Sequence, residues 1–230
     1  MTATTGAGGA DGLLQGPRIG PARGEARALV VLLHGYGADG NDLAGLAQPL
    51  GPVLPGTVFR APNAPEPSRV NPMGRQWFPI PWIDGSSEAE RDAGFKRSTD
   101  TLGLYLQAAM EEEGVTPSQT ALIGFSQGTM MALHVGPRMA EPLAGIVGFS
   151  GRLVAEDRLD EVVSRPPVLL VHGDRDEVIP VAALAEARDA LAGAGFDVEA
   201  HVSVGTPHGI APDGLALAAR FLAARLGRDG

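Results

Sequence analysis

The five residues Gly124-Phe125-Ser126-Gln127-Gly128 constrain this chain more than any other segment. They follow the apolar run Ala121-Leu122-Ile123 and precede a helical stretch from Thr129 to Met139. A serine set between two glycines at such a junction is the pattern of a sharp strand-to-helix turn. Small residues must flank the serine because the strand and helix backbones approach closely there. The same tightness pushes the hydroxyl out above the sheet. The competing reading is a structural serine in a Gly-rich turn.

The rest of the chain supplies the sheet that such a turn requires. Ala28-Leu29-Val30-Val31-Leu32-Leu33 is an unbroken apolar run, as expected of a strand buried on both faces. Thr57 to Ala61, Gln119 to Phe125, Leu143 to Phe149, Pro167 to Val171 and Asp197 to Val204 read as further strands. Helical patterns lie between them: Asn41 (a candidate cap) to Leu50, Asp92 to Glu113, Val181 to Ala192 closed by Gly193, and Asp213 to Leu226. In the second of these, Phe95, Leu102, Leu106 and Ala109 fall near one face. This alternation predicts an α/β fold with a mainly parallel sheet flanked by helices on both faces. Pro62 to Gly94 contains six prolines and both tryptophans and reads as one long irregular loop. Loops of that length in a compact domain are often functional. No internal repeat and no separate cap domain are evident. Residues 1–15 are expected to be a flexible N-terminal segment, and residues 16–230 a single domain.

Composition narrows the function classes. The chain has 230 residues and a formal charge of −9, which argues against a nucleic-acid partner. Lys and Arg are scattered, and no stretch approaches the ~20 apolar residues that span a bilayer. A cytoplasmic protein without stable membrane association is therefore expected. There is no cysteine, which excludes a disulfide framework, a thiolate nucleophile and a Cys-based zinc site. No HExxH, EF-hand, GxGxxG or Walker pattern occurs, so no metal or cofactor is expected.

Ser126, Asp176 and His208 each fall just after a predicted strand, at the edge where ligands gather in such sheets. A serine hydroxyl needs a base beside it to act as a nucleophile. His208 is the candidate base, and Asp176 would hold the imidazole in the correct tautomer. Asp174 competes with Asp176, although it also suits a turn cap. An oxyanion formed at Ser126 needs preorganised donors. The backbone N–H groups of Gln127 and of Tyr36, in the turn His34-Gly35-Tyr36-Gly37, are the candidates. His34 and His172 precede glycines at strand ends and read as loop-orienting residues, while His134 and His201 read as packing residues. Ser150 also ends a strand but lacks the strand-Gly-X-Ser arrangement. Trp77, Phe78, Ile80 and Trp82 form an aromatic and apolar patch. It either pins the loop to the core or forms a wall of an acyl pocket, since such pockets are mostly apolar.

Taken together, Leu33-His34-Gly35-Tyr36-Gly37, Gly74-Arg75-Gln76-Trp77-Phe78, Gly124 to Gly128, His172-Gly173-Asp174-Arg175-Asp176-Glu177-Val178-Ile179-Pro180 and Pro207-His208-Gly209 resemble the phospholipase/carboxylesterase family of α/β-hydrolases. The family includes acyl-protein thioesterases and small bacterial esterases, and the likeness runs from about Ala28 to the C-terminus. It implies a serine hydrolase with Ser126, Asp176 and His208 as catalytic triad and Tyr36 and Gln127 as oxyanion donors. It also implies substrate contacts from the Trp77–Phe78 loop. Tyr36 stands where the family often has Leu, which leaves a backbone donor but brings a larger side chain. The expectation is a carboxylesterase for small to medium acyl esters, acting as a monomer or homodimer. Lysophospholipase and acyl-protein thioesterase are the alternatives on the same machinery, and a non-catalytic binding protein is the alternative of another class.

Overall fold

Ala28–Leu33 forms an interior strand of the sheet, and all six residues are buried because helices cover both faces. The computed structural model describes residues 10–227. In chain order its elements are α1 (Ala10–Leu13), β1 (Arg18–Ile19), β2 (Ala28–Leu33), α2 (Gly40–Ala44), α3 (Ala47–Leu50), β3 (Thr57–Arg60), β4 (Glu66–Pro67), β5 (Arg75–Gln76), α4 (Pro81–Asp84), α5 (Glu88–Glu113), β6 (Thr120–Phe125), α6 (Gln127–Val135), β7 (Gly145–Phe149), β8 (Val168–Gly173), α7 (Ala182–Gly193), β9 (Val198–Ser203) and α8 (Pro212–Leu226). The seven-stranded sheet has the order β1-β3-β2-β6-β7-β8-β9. Only β1 runs antiparallel to its neighbour; every other pairing in that sheet is parallel.

Successive residues of a strand point to opposite faces, and β2 shows this directly. Leu29, Val31 and Leu33 join a core with Leu102, Met131 and Leu184 from α5, α6 and α7. Val30 and Leu32 join the opposite core with Leu43, Leu50 and Leu222 from α2, α3 and α8. The chain passes from β2 to β3 on one side and then returns to β6 on the other. The strand order therefore reverses at β2 and β6, and a crevice opens beyond their carboxyl ends. At that edge α6 lies almost in contact with β2. A Cβ on Gly128 would sit 1.8 Å from the Leu33 carbonyl oxygen, and one on Gly124 would sit 2.4 Å from the Thr129 nitrogen.

Several element boundaries depart from the sequence expectation. The Asn41–Leu50 helix is two short helices, capped by the Asp39 carboxylate rather than by Asn41. The long loop is shorter than expected, because α5 begins at Glu88 with a reciprocal Ser87–Glu90 capping box. The loop also carries a small β4–β5 ladder and the one-turn α4. Gly193 is the last residue of α7, and Ala194 caps it. Of the N-terminal segment expected to be flexible, residues 1–9 lie outside the described residues. Ala10–Leu13 is a helical turn with Ala10 fully buried, and the Ala10 N–H donates to Glu112 Oε1 at 2.6 Å. The strand after it is fastened by Arg18, which forks onto Glu113 at 2.9 and 2.6 Å. Among the described residues, no helix is long and apolar enough to cross a membrane.

The glycine contacts give a direct test. Gly128→Ala should cost about 3 kcal/mol through overpacking against β2, lowering Tm by roughly 6–12 °C. Gly103→Ala, within α5 where a Cβ meets nothing within 4 Å, should instead raise stability by about 0.5–1 kcal/mol. Thermal unfolding of the two variants checks both signs.

Candidate active site

Ser126 sits between β6 and α6 with φ 53° and ψ −115°, in the left-handed region that non-glycine residues rarely enter. Three bonds hold it there. Its N–H donates to the Phe149 carbonyl at 2.9 Å, and its carbonyl accepts from Thr129 N at 3.0 Å and Met130 N at 3.3 Å. The Thr129 hydroxyl reaches the Gly124 and Phe149 carbonyls at 2.8 and 2.9 Å, tying β6, β7 and α6 together beneath the serine. Gly35 lies alongside: a Cβ there would be 3.4 Å from Ser126 Cβ.

Asp176 and His208 meet at the same edge. His208 Nδ1 donates to Asp176 Oδ2 at 2.7 Å, leaving Nε2 as the other ring nitrogen. The Phe125 ring, next to Ser126 in sequence, lies 4.9 Å from the His208 ring centroid. Asp176 is itself locked by its loop. Its Oδ1 accepts from Val178 N and Ile179 N, both at 2.9 Å. Burial pushes its carboxyl up, but the bonds from His208, Ile179 and Val178 outweigh this and hold it below the usual Asp range. His172 Nε2 lies 2.9 Å from the Ile179 carbonyl and 3.2 Å from Asp176 Oδ2. Both partners can only accept, so Nε2 carries the proton and braces the carboxylate from behind. Asp174 is engaged elsewhere, accepting from Gly205 N at 2.6 Å.

Gln127 joins the serine turn to the loop above it. Its Oε1 accepts from Trp77 N at 2.9 Å and its Nε2 donates to the Phe78 carbonyl at 2.8 Å. Trp77 Nε1 in turn donates to the His34 carbonyl at 3.0 Å. His34 Nε2 accepts from Ala64 N at 3.0 Å, which places its proton on Nδ1, 2.7 Å from the Gly35 carbonyl. Burial lowers its pKa, in the same direction as an Nε2 that accepts. The Tyr36–Gly37 turn is clamped from the other side, with Gly37 N donating to the Arg75 carbonyl and Asn71 Nδ2 to the Gly37 carbonyl, both at 2.8 Å. The Tyr36 hydroxyl donates to Asp84 Oδ2 at 2.8 Å, and burial together with that bond pushes the phenol up to about 12. Among the described residues, the backbone N–H groups of Tyr36 and Gln127 have no protein acceptor.

A groove of about 1480 Å³ runs along α6, and none of Ser126, Asp176, His208, Tyr36 and Gln127 lines it. Phe78 and Ile80 form one wall, Met130 and His134 the floor, and Leu153 and Val154 part of the other wall. Met130 and His134 are one and two turns along α6 from Ser126, so the floor runs roughly 12 Å from the serine. His134 is buried, with its ring edge-on to Phe95 at 4.7 Å. Burial, with help from Arg138 and Arg158, lowers its pKa to about 4.

The sequence-predicted residues divide accordingly. Ser126, Asp176, His208, Tyr36 and Gln127 converge on one edge. Of the aromatic patch, Phe78 and the 74 % exposed Trp82 line the groove. Trp77 does not: it is fully buried behind the loop, where its indole N–H is bound to His34, so it supports the wall without facing the groove. His201, expected to pack, is instead partly exposed and bonded to Asp213 Oδ2 at 2.8 Å. Ser150 is a structural residue with φ 47°, donating to the Gly209 carbonyl at 3.2 Å. The 152–161 wall was missed because it carries no motif. Among the described residues, no three His, Asp or Glu side chains assemble as a metal-ligand set.

Comparison with known proteins gives the family and the fold. The family model for phospholipase/carboxylesterase matches residues 14–226. Esterase YpfH of Escherichia coli is 32% identical over 188 residues, covering 80% of this chain and 77% of that protein. Acyl-protein thioesterase 1 of Gibberella zeae is 28% identical over 230 residues, covering 91% and 95%. The solved structure of esterase PE8 superposes with a TM-score of 0.86 at 44% identity, covering 93% of this chain and 99% of that one.

Gln127→Ala should leave Trp77 N and the Phe78 carbonyl buried without partners, at about 1–3 kcal/mol each. A fall in Tm without loss of secondary structure is the expected result. His134 gives a pH test. Its folded pKa lies below the unfolded value of 6.5, so the unfolded chain binds the proton first as pH falls. Stability should therefore drop between pH 6.5 and 4, by up to about 3 kcal/mol from this group. Urea unfolding of His134→Gln should show a correspondingly shallower drop over that window.

Proposed function

Since the chain belongs to the phospholipase/carboxylesterase family, we propose that Ser126, His208 and Asp176 are the nucleophile, general base and orienting acid of a serine carboxylesterase. The observation that carries this is the 2.7 Å Asp176–His208 contact beside a serine held at φ 53°. His208 Nε2 takes the Ser126 hydroxyl proton as Oγ attacks the ester carbonyl. Asp176 keeps the proton on Nδ1 and stabilises the imidazolium. The carbonyl oxygen becomes an oxyanion, which accepts from the Tyr36 and Gln127 N–H groups. Collapse breaks the bond to the alcohol, which leaves with the proton from His208, and the acyl group remains on Ser126. Water then repeats the sequence and frees the acid.

The apolar part of the groove at Phe78, Ile80 and Met130 suits a small to medium acyl chain. Thioesters would pass through the same steps, with a thiol as leaving group.

Turnover of p-nitrophenyl esters from acetate to palmitate tests the reading. Ser126→Ala should lower kcat by at least about 10⁴-fold and Asp176→Asn by roughly 10³–10⁴-fold. Asp174→Asn should stay close to the unmodified enzyme. If instead Asp174→Asn is inactive and Asp176→Asn active, the acid has been misassigned.

A further inference from the structure

Five cationic side chains line the groove: Arg91, Lys96, Arg138, Arg152 and Arg158. Four of them are spoken for. Arg91 pairs with Glu88 and Asp92, and Lys96 with Asp100 at 2.7 Å. Arg138 and Arg158 share Glu161, at 3.3 and 2.8 Å. Arg152 is exposed, and among the described residues its guanidinium has neither a hydrogen-bond nor an ion-pair partner.

Its position adds to this. Arg152 follows Gly151, whose would-be Cβ lies 3.0 Å from the Ser126 carbonyl oxygen and 2.4 Å from Thr129 Cβ. The segment bearing Arg152 thus passes directly against the serine turn before it becomes the far wall of the groove. The other two groove-lining carboxylates, Glu156 and Asp157, come four and five residues later, beyond the left-handed Ala155 with φ 52°. The chain as a whole carries −9, so an anionic substrate approaches against the net field. An uncommitted guanidinium on the groove, carried by the segment that passes the serine turn, offsets that repulsion locally, and its planar fork matches a carboxylate bidentately.

We propose that Arg152 forms a subsite for a carboxylate at the far end of the substrate's acyl chain, so that half-esters of short dicarboxylic acids are favoured substrates. The inference rests on the Ser126 carboxylesterase reading and adds a substrate class to it. Arg152 acts here as a specificity determinant, outside the bond-breaking steps.

The test uses mono-p-nitrophenyl succinate, glutarate and adipate, each beside the uncharged p-nitrophenyl ester of equal chain length. The readout is the ratio of kcat/KM, charged over uncharged. Arg152→Gln should lower that ratio about fivefold for at least one length, the scale of a partly exposed ion pair. Arg152→Lys should fall between the unmodified enzyme and Arg152→Gln, since it keeps the charge and loses the bidentate fork, and 0.5 M salt should erode the ratio in the unmodified enzyme. A fall of less than twofold at every length overturns the subsite while leaving the esterase reading intact. Undiminished turnover in Ser126→Ala would overturn both.

Discussion

The close approach of α6 to β2 is the contact on which the site depends. With Gly128 against the Leu33 carbonyl, the first turn of α6 stands over the crevice where the strand order reverses. Any side chain at Gly124 or Gly128 would move helix and sheet apart, and Ser126 with them. The left-handed backbone at Ser126 costs of order 1–3 kcal/mol. It persists because Phe149, Thr129 and Met130 fix the turn from three sides. The conformational cost is thus offset by the same bonds that join β6, β7 and α6.

From that turn, order spreads outward through polar side chains that each bridge two segments. Gln127 holds the Trp77–Phe78 loop, Trp77 holds His34, and His34 holds Ala64. On the opposite side His172 braces Asp176, and Asp176 holds His208. Most of these groups are buried, so each unmet partner would carry a desolvation penalty. The loops around the crevice are therefore fixed by satisfied hydrogen bonds together with the apolar packing of Trp77, Phe78 and Ile80.

Much of this was legible in the sequence. An unbroken apolar run such as Ala28–Leu33 has one stable place, the middle of a sheet covered on both faces. A Gly-X-Ser-X-Gly between strand and helix has few alternatives. Fold, family and carboxylesterase activity could be read from such segments. What could not be read depends on side-chain direction in irregular backbone. Asp174 and Asp176 stand two residues apart in one turn, and only the turn geometry decides which carboxylate faces His208. Trp77 and Phe78 are adjacent, yet one points into the core and the other lines the groove. The start of α5 at Glu88 was a missed signal of a different kind, since Ser87-X-X-Glu90 is a capping box visible in the sequence.

α6 carries both walls of the groove, one at each end. Gln127, its first residue, holds the Phe78 side. Arg138, just past its last turn, donates to the Arg158 carbonyl at 2.6 Å and so holds the 152–161 side. The nine-residue helix between them acts as a ruler for the space. One residue inserted in it would swing the far wall by about 100° rather than lengthen the groove. Chain-length preference in this scaffold can therefore change through the side chains that fill the groove, or through whole turns of the helix, but not by gradual extension of its backbone.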